Sequence, residues 1–343
     1  MKNKNYLEIV LSSVDPNYSS NFDLKILQDD IDLFDSTVRF AKRNGLYYHF
    51  VNSLINQGIS LPPSGADDWH KELQRLHEFK ETIKLLNKIT EEYKKKYIII
   101  KLCNRVPYIP RDVDIFVNSI DQLAIINALK DKGMFCSTFD VTEIILQKPG
   151  YVDIELYGSI HYIGMDFIDC DFIWSSIIDD QMFDLTYPGL NNEANFILML
   201  IHRLIGHRSM SLLDFLHLVY LMGEVDIDLC KTHASKEGWG HTFDLAMNKL
   251  TSIYIDIYEK NAKIDFPYLF HRSFLLECIS SIDGLNMSLK QRVFLDLSIL
   301  LDLVIYHLKD TYLYNALKSF GPTRRFINFF TRNIRKMRGD VHG

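Results

Sequence analysis

The sequence predicts an α+β fold in which a mixed sheet lies in the middle of the chain, between two helical regions. Residues 97–188 contain short apolar segments that end at turn-forming residues, as strands do. The residues on either side have apolar side chains at helical spacing, with capping residues at the ends of these segments. We therefore expect three regions, comprising residues 1–96, 97–188 and 189–343.

The first region predicts three helices. Phe34-Asp35-Ser36 begins one of them, and Asn44-Gly45 ends it. A second helix runs from about Leu46 to Gln57 and ends before a segment that contains two prolines and a glycine. A long polar helix is expected from about Asp67 to Lys96.

The middle region predicts two strands, Tyr97–Leu102 and Arg111–Val117, followed by a helix. Ser119-Ile120-Asp121-Gln122 has the pattern of a capping box, and Gly133 marks the end of the helix. The expected buried face of this helix comprises Leu123, Ile126 and Leu129. Two more strands, Val141–Gln147 and Tyr151–Leu156, are separated by a Lys-Pro-Gly turn and predict a β-hairpin.

Beyond residue 188 the pattern returns to helices. Asn191 is the expected N-cap of a helix that runs through Ile201. A second capping box, Ser288-Leu289-Lys290-Gln291, opens a long apolar helix toward His307. The tail, Lys318–Gly343, is basic and contains interleaved phenylalanines, which is typical either of a basic amphipathic helix that contacts an anionic partner or of a solvated helix end.

Composition and charge limit the classes of function. The chain has 343 residues, 47% of them hydrophobic, and a net charge of −6, which argues against general affinity for nucleic acid or anionic membranes. No apolar segment reaches the roughly 18 residues that span a bilayer. The basic N-terminus lacks the apolar segment of a secretory signal. The five cysteines include no CxxC pair, so a disulfide framework or structural zinc site is not expected, and we predict a cytoplasmic protein.

Two pairs of carboxylates are the strongest functional signal. Asp112 and Asp114 are two residues apart on one predicted strand, and Asp153 and Glu155 are two residues apart on another. Side chains at this spacing share a face of a strand, so each pair should point the same way. Adjacent carboxylates repel one another unless a cation joins them, and a divalent metal ion is the usual one. The pattern therefore favours metal-dependent phosphoryl or nucleotidyl transfer.

The acidic pairs also have an ordinary explanation, in which they only face the solvent. Acidic pairs are common on solvent-facing strands, but aspartate is disfavoured inside strands, and here acidic pairs recur opposite apolar residues in two strands. Arg111 either pairs with Asp112 or Asp114 or contacts a phosphate. On the later helices, His202 and His207 are five residues apart, which predicts that they diverge. Asp214 lies on an apolar helix and needs a partner, which Arg203, Arg208 or a histidine could supply.

These motifs resemble the DNA polymerase beta-like nucleotidyltransferase superfamily and, more narrowly, an uncharacterised nucleotidyltransferase family of bacteria and archaea. The segments that carry the resemblance are Phe34–Leu46, Ile98–Lys101, Arg111–Val117 and Tyr151–Tyr157. His202 and Asp214 also lie where that family often has a histidine and an aspartate. The resemblance implies a nucleotidyltransferase-like core and transfer of a nucleoside monophosphate from a nucleoside triphosphate (NTP) to a hydroxyl group.

The resemblance also implies roles for particular residues. Asp112, Asp114 and Asp153 would be catalytic carboxylates and ligands of Mg²⁺ or Mn²⁺, with Glu155 as a further metal ligand and the alternative third carboxylate. The superfamily usually has a glycine pair about ten residues before this motif, whereas Lys101–Arg105 contains no glycine. Lys101, Arg105 and Arg111 are therefore the expected binding residues for the phosphates of the NTP.

The acceptor is open between a small molecule, a tRNA and a protein hydroxyl. Two other functions remain alternatives. The missing glycines favour a catalytically inactive protein of this fold that binds a nucleotide or a partner. The basic tail would suit a toxin-like nucleotidyltransferase that modifies tRNA or protein.

Overall fold

A computed structural model describes residues 6–18, 22–139, 144–162, 165–207 and 209–260, together with 264, 266, 268–270, 274–275 and 278. The predicted capping box at Ser288, the helix toward His307 and the basic tail lie outside these residues. Within the described residues, no helix is both long enough and apolar enough to cross a bilayer.

Helices occupy both ends of the described chain. They are α1 (Tyr6–Val14), α2 (Ile26–Asp29), α3 (Ile31–Arg43), α4 (Tyr47–Asn56), α5 (Pro63–Tyr93), α6 (Gln122–Asp131), α7 (Cys170–Ser175), α8 (Asn192–Ile201), α9 (Leu212–Met222), α10 (Ile227–Lys236) and α11 (Gly240–Tyr254). Two π-helical turns, His202–His207 and Ile255–Glu259, continue α8 and α11.

The strands lie mainly between α5 and α8. They are β1 (Tyr97–Ile99), β2 (Asp112–Val117), β3 (Phe135–Phe139), β4 (Ile144–Gln147), β5 (Asp153–Tyr157), β6 (His161–Tyr162), β7 (Met165–Asp166), β8 (Ile177–Met182), β9 (Leu185–Leu190), β10 (Ser209–Met210) and β11 (Tyr268–Leu269). The first five form one sheet in the order β1-β2-β5-β4-β3. Its central pair, β2 and β5, is parallel, and its other pairs are antiparallel. The expected combination of helices with a mixed sheet is confirmed.

The two faces of this sheet pack against different helices. Val113 and Ile115 of β2 and Ile154 of β5 belong to a core that includes buried residues of α5 and α6. On the opposite face, Ile98 and Phe116 belong to the larger core, which includes buried residues of α8 and α9. The acidic residues of β2 and β5 are on this second face, so they lie on the side of the sheet that also packs with the later helices.

Several local predictions are confirmed. The hairpin forms from β4 and β5, and the Asn191 side chain accepts a hydrogen bond from the backbone N–H of Ala194 at the start of α8. Helix α4 lies within one residue of its expected bounds. These features depend on neighbouring residues only, which is why the sequence predicts them.

Other local predictions are wrong. Helix α3 begins at Ile31 because Asp30 accepts a hydrogen bond from the backbone of Leu33. The expected capping box at Ser119 does not form: Asn118 accepts from the backbone of Ile120, and α6 starts at Gln122 without a side-chain cap. Leu123 is 68% exposed, and the buried face of α6 consists of Ile125, Ile126, Ala128 and Leu129. Strand β3, which the sequence analysis did not predict, forms one edge of the sheet.

The turn between α3 and α4 contacts the start of α9. The carbonyl and side-chain oxygens of Asn44 accept hydrogen bonds from the backbone N–H groups of Leu213 and Leu212, each at 3.2 Å. Gly45 follows with φ +75°, and a Cβ built on it would come within 2.9 Å of Leu213 Cδ2. The turn therefore requires glycine both for its backbone conformation and for the close approach of α9.

We expect Gly45→Ala to destabilise the protein by about 2 kcal/mol or more, because it combines left-handed strain with overpacking. Gly58→Ala is a matched control: its φ is also +75°, but no heavy atom lies within 4 Å of its added Cβ. The control should lose only about 1 kcal/mol. Urea unfolding of both variants measures the difference, and equal losses would show that the contact with Leu213 is unimportant.

Candidate active site

Four carboxylates lie in register on β2 and β5. Asp112 pairs with Asp153, and Asp114 pairs with Glu155, in the parallel ladder between the two strands. Residues paired in this way point to the same face of the sheet, so all four side chains share one face. The intervening apolar residues are buried on the other face, and a shift of one residue would expose them. Packing on one face therefore fixes the carboxylates on the other.

Lys101 supplies a positive charge to this cluster. Its Nζ lies 2.6 Å from Asp114 Oδ1 and 3.1 Å from the Tyr157 hydroxyl oxygen, and its side chain is only 11% exposed. The ammonium also lies 4.3 Å from the centroid of the Tyr157 ring, which is a cation–π contact. The Tyr157 hydroxyl in turn donates to Glu155 Oε2 at 2.7 Å. One lysine and one tyrosine thus link the carboxylates of Asp114 and Glu155.

The backbone of Lys101 determines where its side chain points. Tyr97 and Ile99 of β1 face the α5–α6 side of the sheet, and Ile98 and Ile100 face the other side. Continued alternation would place Lys101 on the α5–α6 side, away from the carboxylates. Instead, Lys101 has φ +61°, a left-handed conformation that is strained for any residue except glycine. This backbone conformation accompanies the approach of the ammonium to Asp114.

Asp112 is the least compensated carboxylate of the cluster. Among the described residues, its side chain has no hydrogen-bond or ion-pair partner. Burial raises the pKa of Asp112 to about 6, with the negative charges of Asp114 and Glu155 adding to the effect and Lys101 opposing it. Burial and the Asp114 charge also raise the pKa of Glu155. The site therefore holds more negative charge than its single lysine neutralises.

Asp153 has a different environment. Its Oδ2 accepts a hydrogen bond from Gln147 Nε2 on the neighbouring strand β4, at 2.6 Å. The residue paired with it is Asp112, whereas Lys101 and Tyr157 contact Asp114 and Glu155. Asp153 thus lies at the edge of the cluster and is held by a neutral amide.

The two predicted arginines lie away from these carboxylates. Arg105 forms an ion pair with Glu224 and donates to Asn192 Oδ1 at 3.3 Å. Arg111 is exposed, and its charge acts on Glu72 of α5. The ordinary explanation had expected Arg111 to pair with Asp112 or Asp114, but within the described residues it forms no ion pair with either. Of the three residues expected to bind phosphate, only Lys101 joins the carboxylate cluster.

The prediction that His202 and His207 diverge is wrong. The chain forms a π-helical turn from His202 to His207, and the two ring centroids lie 4.4 Å apart with the rings edge to face. A π-helix brings residues five apart onto one face, which an α-helix does not. Burial lowers the pKa of His202 well below its usual range, and the positive charge of Lys101 lowers it further. This effect of Lys101 indicates that the turn is close to the carboxylate cluster.

Asp214 is held at the start of α9. Arg203 Nη2 lies 3.0 Å from Asp214 Oδ1, so of the expected partners it is Arg203 that forms the ion pair. The other carboxylate oxygen accepts from both the backbone N–H and the hydroxyl of Ser211 in a capping box. These bonds tie the π-helical turn to α9, so Asp214 has a structural explanation.

The donor groups suit a magnesium ion in kind. Mg²⁺ prefers oxygen ligands and is commonly bound by one or two carboxylates together with substrate phosphates and water. Asp112 and Asp114 offer such oxygens on one face, and the uncompensated charge at Asp112 favours a cation. However, no group of three or more His, Cys, Asp or Glu side chains in the described part of the chain is arranged to hold a metal ion. The carboxylates are thus adjacent without forming a preformed metal cage.

Two polar neighbours of the site were not predicted. Tyr157 contacts both Lys101 and Glu155, and Gln147 contacts Asp153. Tyr157 follows Glu155 at the same two-residue spacing that relates the carboxylates, so strand alternation already places it on their face. Gln147 could be found only from the pairing of β4 with β5, which requires the hairpin register.

Asp112→Asn should stabilise the folded protein by about 1–2 kcal/mol at pH 8, because the variant no longer buries this charge. The folded-state pKa is above the value of 3.8 for an unperturbed aspartate, so the native protein loses stability as the pH rises from about 4 through 6. The gain should therefore fall to a small fraction of this value at pH 4, where the native state holds the proton and the unfolded state holds it in part. Urea unfolding at both pH values measures it.

Asp153→Asn is the control for this experiment, since its carboxylate lies on the same face but accepts the Gln147 hydrogen bond. This variant should show no gain at pH 8. A stabilisation of Asp112→Asn that is the same at pH 4 and pH 8 would contradict the electrostatic explanation.

Comparison with known proteins gives a partial likeness. The structure of the lincosamide antibiotic adenylyltransferase LnuA, with lincomycin bound, aligns with 43% of this chain and 99% of its own, with a TM-score of 0.33 and 16% sequence identity. No protein-family model matches the sequence, and no curated protein matches it. Membership of the nucleotidyltransferase family remains a prediction, and the function has to be inferred from the geometry of the site.

Proposed function

We propose that this protein is a metal-dependent nucleotidyltransferase that transfers a nucleoside monophosphate from an NTP to a hydroxyl group. The observation that carries the proposal is the pair of acidic positions on each of two adjacent parallel strands, in register and on one face of the sheet. Purely structural acidic residues would be expected to have neutralising partners. Asp112 has none among the described residues, and its pKa is raised to about 6.

In this proposal Asp112 and Asp114 hold the cation and thereby orient the triphosphate. The bound Mg²⁺ or Mn²⁺ would neutralise the charge that develops on the phosphate oxygens. Asp112 suits the first contact with the cation because, among the described residues, no other group is bonded to its carboxylate oxygens. Both carboxylates project from a strand whose other face is buried, so their positions are fixed before the substrate binds.

We propose Glu155 as the third carboxylate, in preference to Asp153. Glu155 pairs with Asp114 in the ladder, and its pKa is raised by burial and by the Asp114 charge. A carboxylate with a raised pKa is a better proton acceptor near neutral pH. Asp153 accepts a hydrogen bond from Gln147 and lies beside Asp112, which suits a supporting role.

The proposed reaction is a single displacement at the α-phosphorus. The acceptor oxygen forms a bond to this phosphorus, the bond between the α-phosphorus and the bridging oxygen breaks, and pyrophosphate leaves with that oxygen. Glu155 takes the proton of the acceptor hydroxyl. The acceptor stays open between a small molecule, a tRNA and a protein hydroxyl, and cytoplasmic location stays a prediction.

Asp112→Ala and Asp114→Ala should each abolish Mg²⁺-dependent NTP binding or weaken it at least about tenfold, because each removes an oxygen ligand of the cation. Calorimetry with each of the four NTPs, in Mg²⁺ and then in Mn²⁺, measures binding. Release of pyrophosphate from the bound NTP reports chemistry when an acceptor is present, so it is measured with candidate acceptors of each class (a small molecule, a tRNA and a protein) and with water as the default acceptor.

Asp121→Ala is a matched control. Asp121 is paired with Lys95 at 2.6 Å, the same distance as in the Lys101–Asp114 pair, but it lies at the start of α6. This variant should bind NTP as the wild type does. If the wild type binds no NTP in either metal, the proposed function is refuted. Binding without pyrophosphate release under any acceptor condition would instead support the non-catalytic alternative.

Glu155→Gln should reduce pyrophosphate release by about 100-fold or more while leaving NTP binding within a few-fold of wild type, because it removes the proton acceptor. Asp153→Asn should reduce release by less than about tenfold. Single-turnover measurements at saturating NTP separate binding from chemistry. If Asp153→Asn instead causes the larger loss of pyrophosphate release, the third carboxylate is Asp153.

A further inference from the structure

We infer that Lys101 is a tethered counter-ion of the carboxylate cluster, which a divalent cation displaces when it binds. This inference rests on the proposed function and assigns to Lys101 a role beyond phosphate binding. Lys101 would balance the site before the metal arrives and move its ammonium toward the nucleotide phosphates afterwards.

The contacts of Lys101 are those of a cation bound within the cluster. Its Nζ approaches Asp114 at 2.6 Å and the Tyr157 hydroxyl oxygen at 3.1 Å, and it lies over the Tyr157 ring at 4.3 Å. Exposed ion pairs elsewhere in the protein lack this enclosure; the Lys84–Glu81 pair, for example, has a lysine that is 59% exposed. The ammonium of Lys101 thus has three favourable contacts in a site that is largely closed to water.

The backbone conformation of Lys101 also indicates that its contacts in the cluster hold the side chain in place. Lys101 adopts φ +61°, a left-handed conformation that is strained for a lysine. Regular alternation after Ile100 would direct the side chain to the other face of the sheet. A strained conformation of this kind persists only where the surrounding contacts compensate for it, and here these are the contacts with Asp114 and Tyr157.

Charge explains why the metal and the ammonium exclude one another. Asp114 cannot bind a divalent cation at the oxygen already occupied by Lys101 unless the two positive charges lie a few ångströms apart. At the low effective dielectric constant of an enclosed site, two positive charges a few ångströms apart repel strongly, and a divalent ion repels the ammonium twice as strongly as a monovalent ion would. Asp112 has no such occupant and offers the point of entry, after which Lys101 leaves Asp114.

The displaced ammonium remains close to the site because its chain position is fixed. Lysine has a flexible four-carbon stem, so Nζ can move several ångströms without a change in the backbone. The triphosphate of a bound NTP brings additional negative charge to the same face. Lys101 would then contact the phosphates. In the superfamily that the sequence resembles, the backbone N–H groups of the glycine pair have this role.

Lys101→Met tests the inference directly through Mn²⁺ binding without nucleotide, measured by calorimetry and by electron paramagnetic resonance of free Mn²⁺ at pH 8. We expect the variant to bind Mn²⁺ at least about tenfold more tightly than the wild type, because the competing cation is gone. Lys95→Met removes another 2.6 Å lysine–aspartate pair outside the site and should leave Mn²⁺ affinity within about twofold of wild type.

A second measurement uses the wild-type protein. Acetylation of lysines by a water-soluble active ester, followed by mass spectrometry of the peptides, reports the exposure of each amine. Lys101 should react slowly in the absence of metal and several-fold faster with saturating Mn²⁺. Lys95, which is 34% exposed, should react at the same rate in both conditions.

The outcomes separate this inference from the proposed function. If wild type binds Mn²⁺ and NTP but Lys101→Met binds Mn²⁺ no more tightly, the counter-ion role is wrong and the proposed function stands. If neither protein binds Mn²⁺ without nucleotide at millimolar concentration, the counter-ion inference is overturned, and the proposed function is decided separately by NTP binding in Mg²⁺ and in Mn²⁺. If Lys101→Met does not fold, the labelling decides: unchanged reactivity of Lys101 on metal addition overturns the inference.

Discussion

The parallel pairing of β2 with β5 is the interaction on which the site depends. It places Asp112 beside Asp153 and Asp114 beside Glu155, and it does so because the alternate residues of both strands are buried against α5 and α6. The free energy that fixes this register comes from apolar burial on one face. On the opposite face the carboxylates repel one another, and the contacts of Lys101, Tyr157 and Gln147 offset part of this repulsion. Stability and chemistry are thus assigned to opposite sides of the same two strands.

The sequence predicts the parts of this arrangement that follow from local alternation. The shared face of each acidic pair and the hairpin between β4 and β5 require only a two-residue period and a turn. The partners within the β2–β5 ladder are residues about forty positions apart, which local alternation does not identify. Strand β3 was missed because its short segment, Phe135–Phe139, mixes polar and apolar residues without clear alternation. Site roles remain predictions, because side-chain geometry alone does not test them.

The π-helical turn after α8 shows a second case in which spacing along the sequence does not predict which side chains meet. An α-helical spacing rule separates His202 from His207, whereas the π-helical turn brings their rings to 4.4 Å. The extra residue in this turn changes which side chains meet, and nothing in the spacing of apolar residues indicated it. The ion pair of Arg203 with Asp214 then joins the turn to α9. A local backbone irregularity therefore controls which polar groups approach the sheet.

The left-handed backbone at Lys101 has a consequence for how this site can vary. Glycine would relieve the strain at this position, and any other residue keeps it. The replacement that relieves the backbone strain is therefore the one that deletes the positive charge in contact with Asp114 and Tyr157. Relief of backbone strain and balance of charge point in opposite directions at this one residue. Related chains with glycine here would have to neutralise their carboxylates with a group from elsewhere.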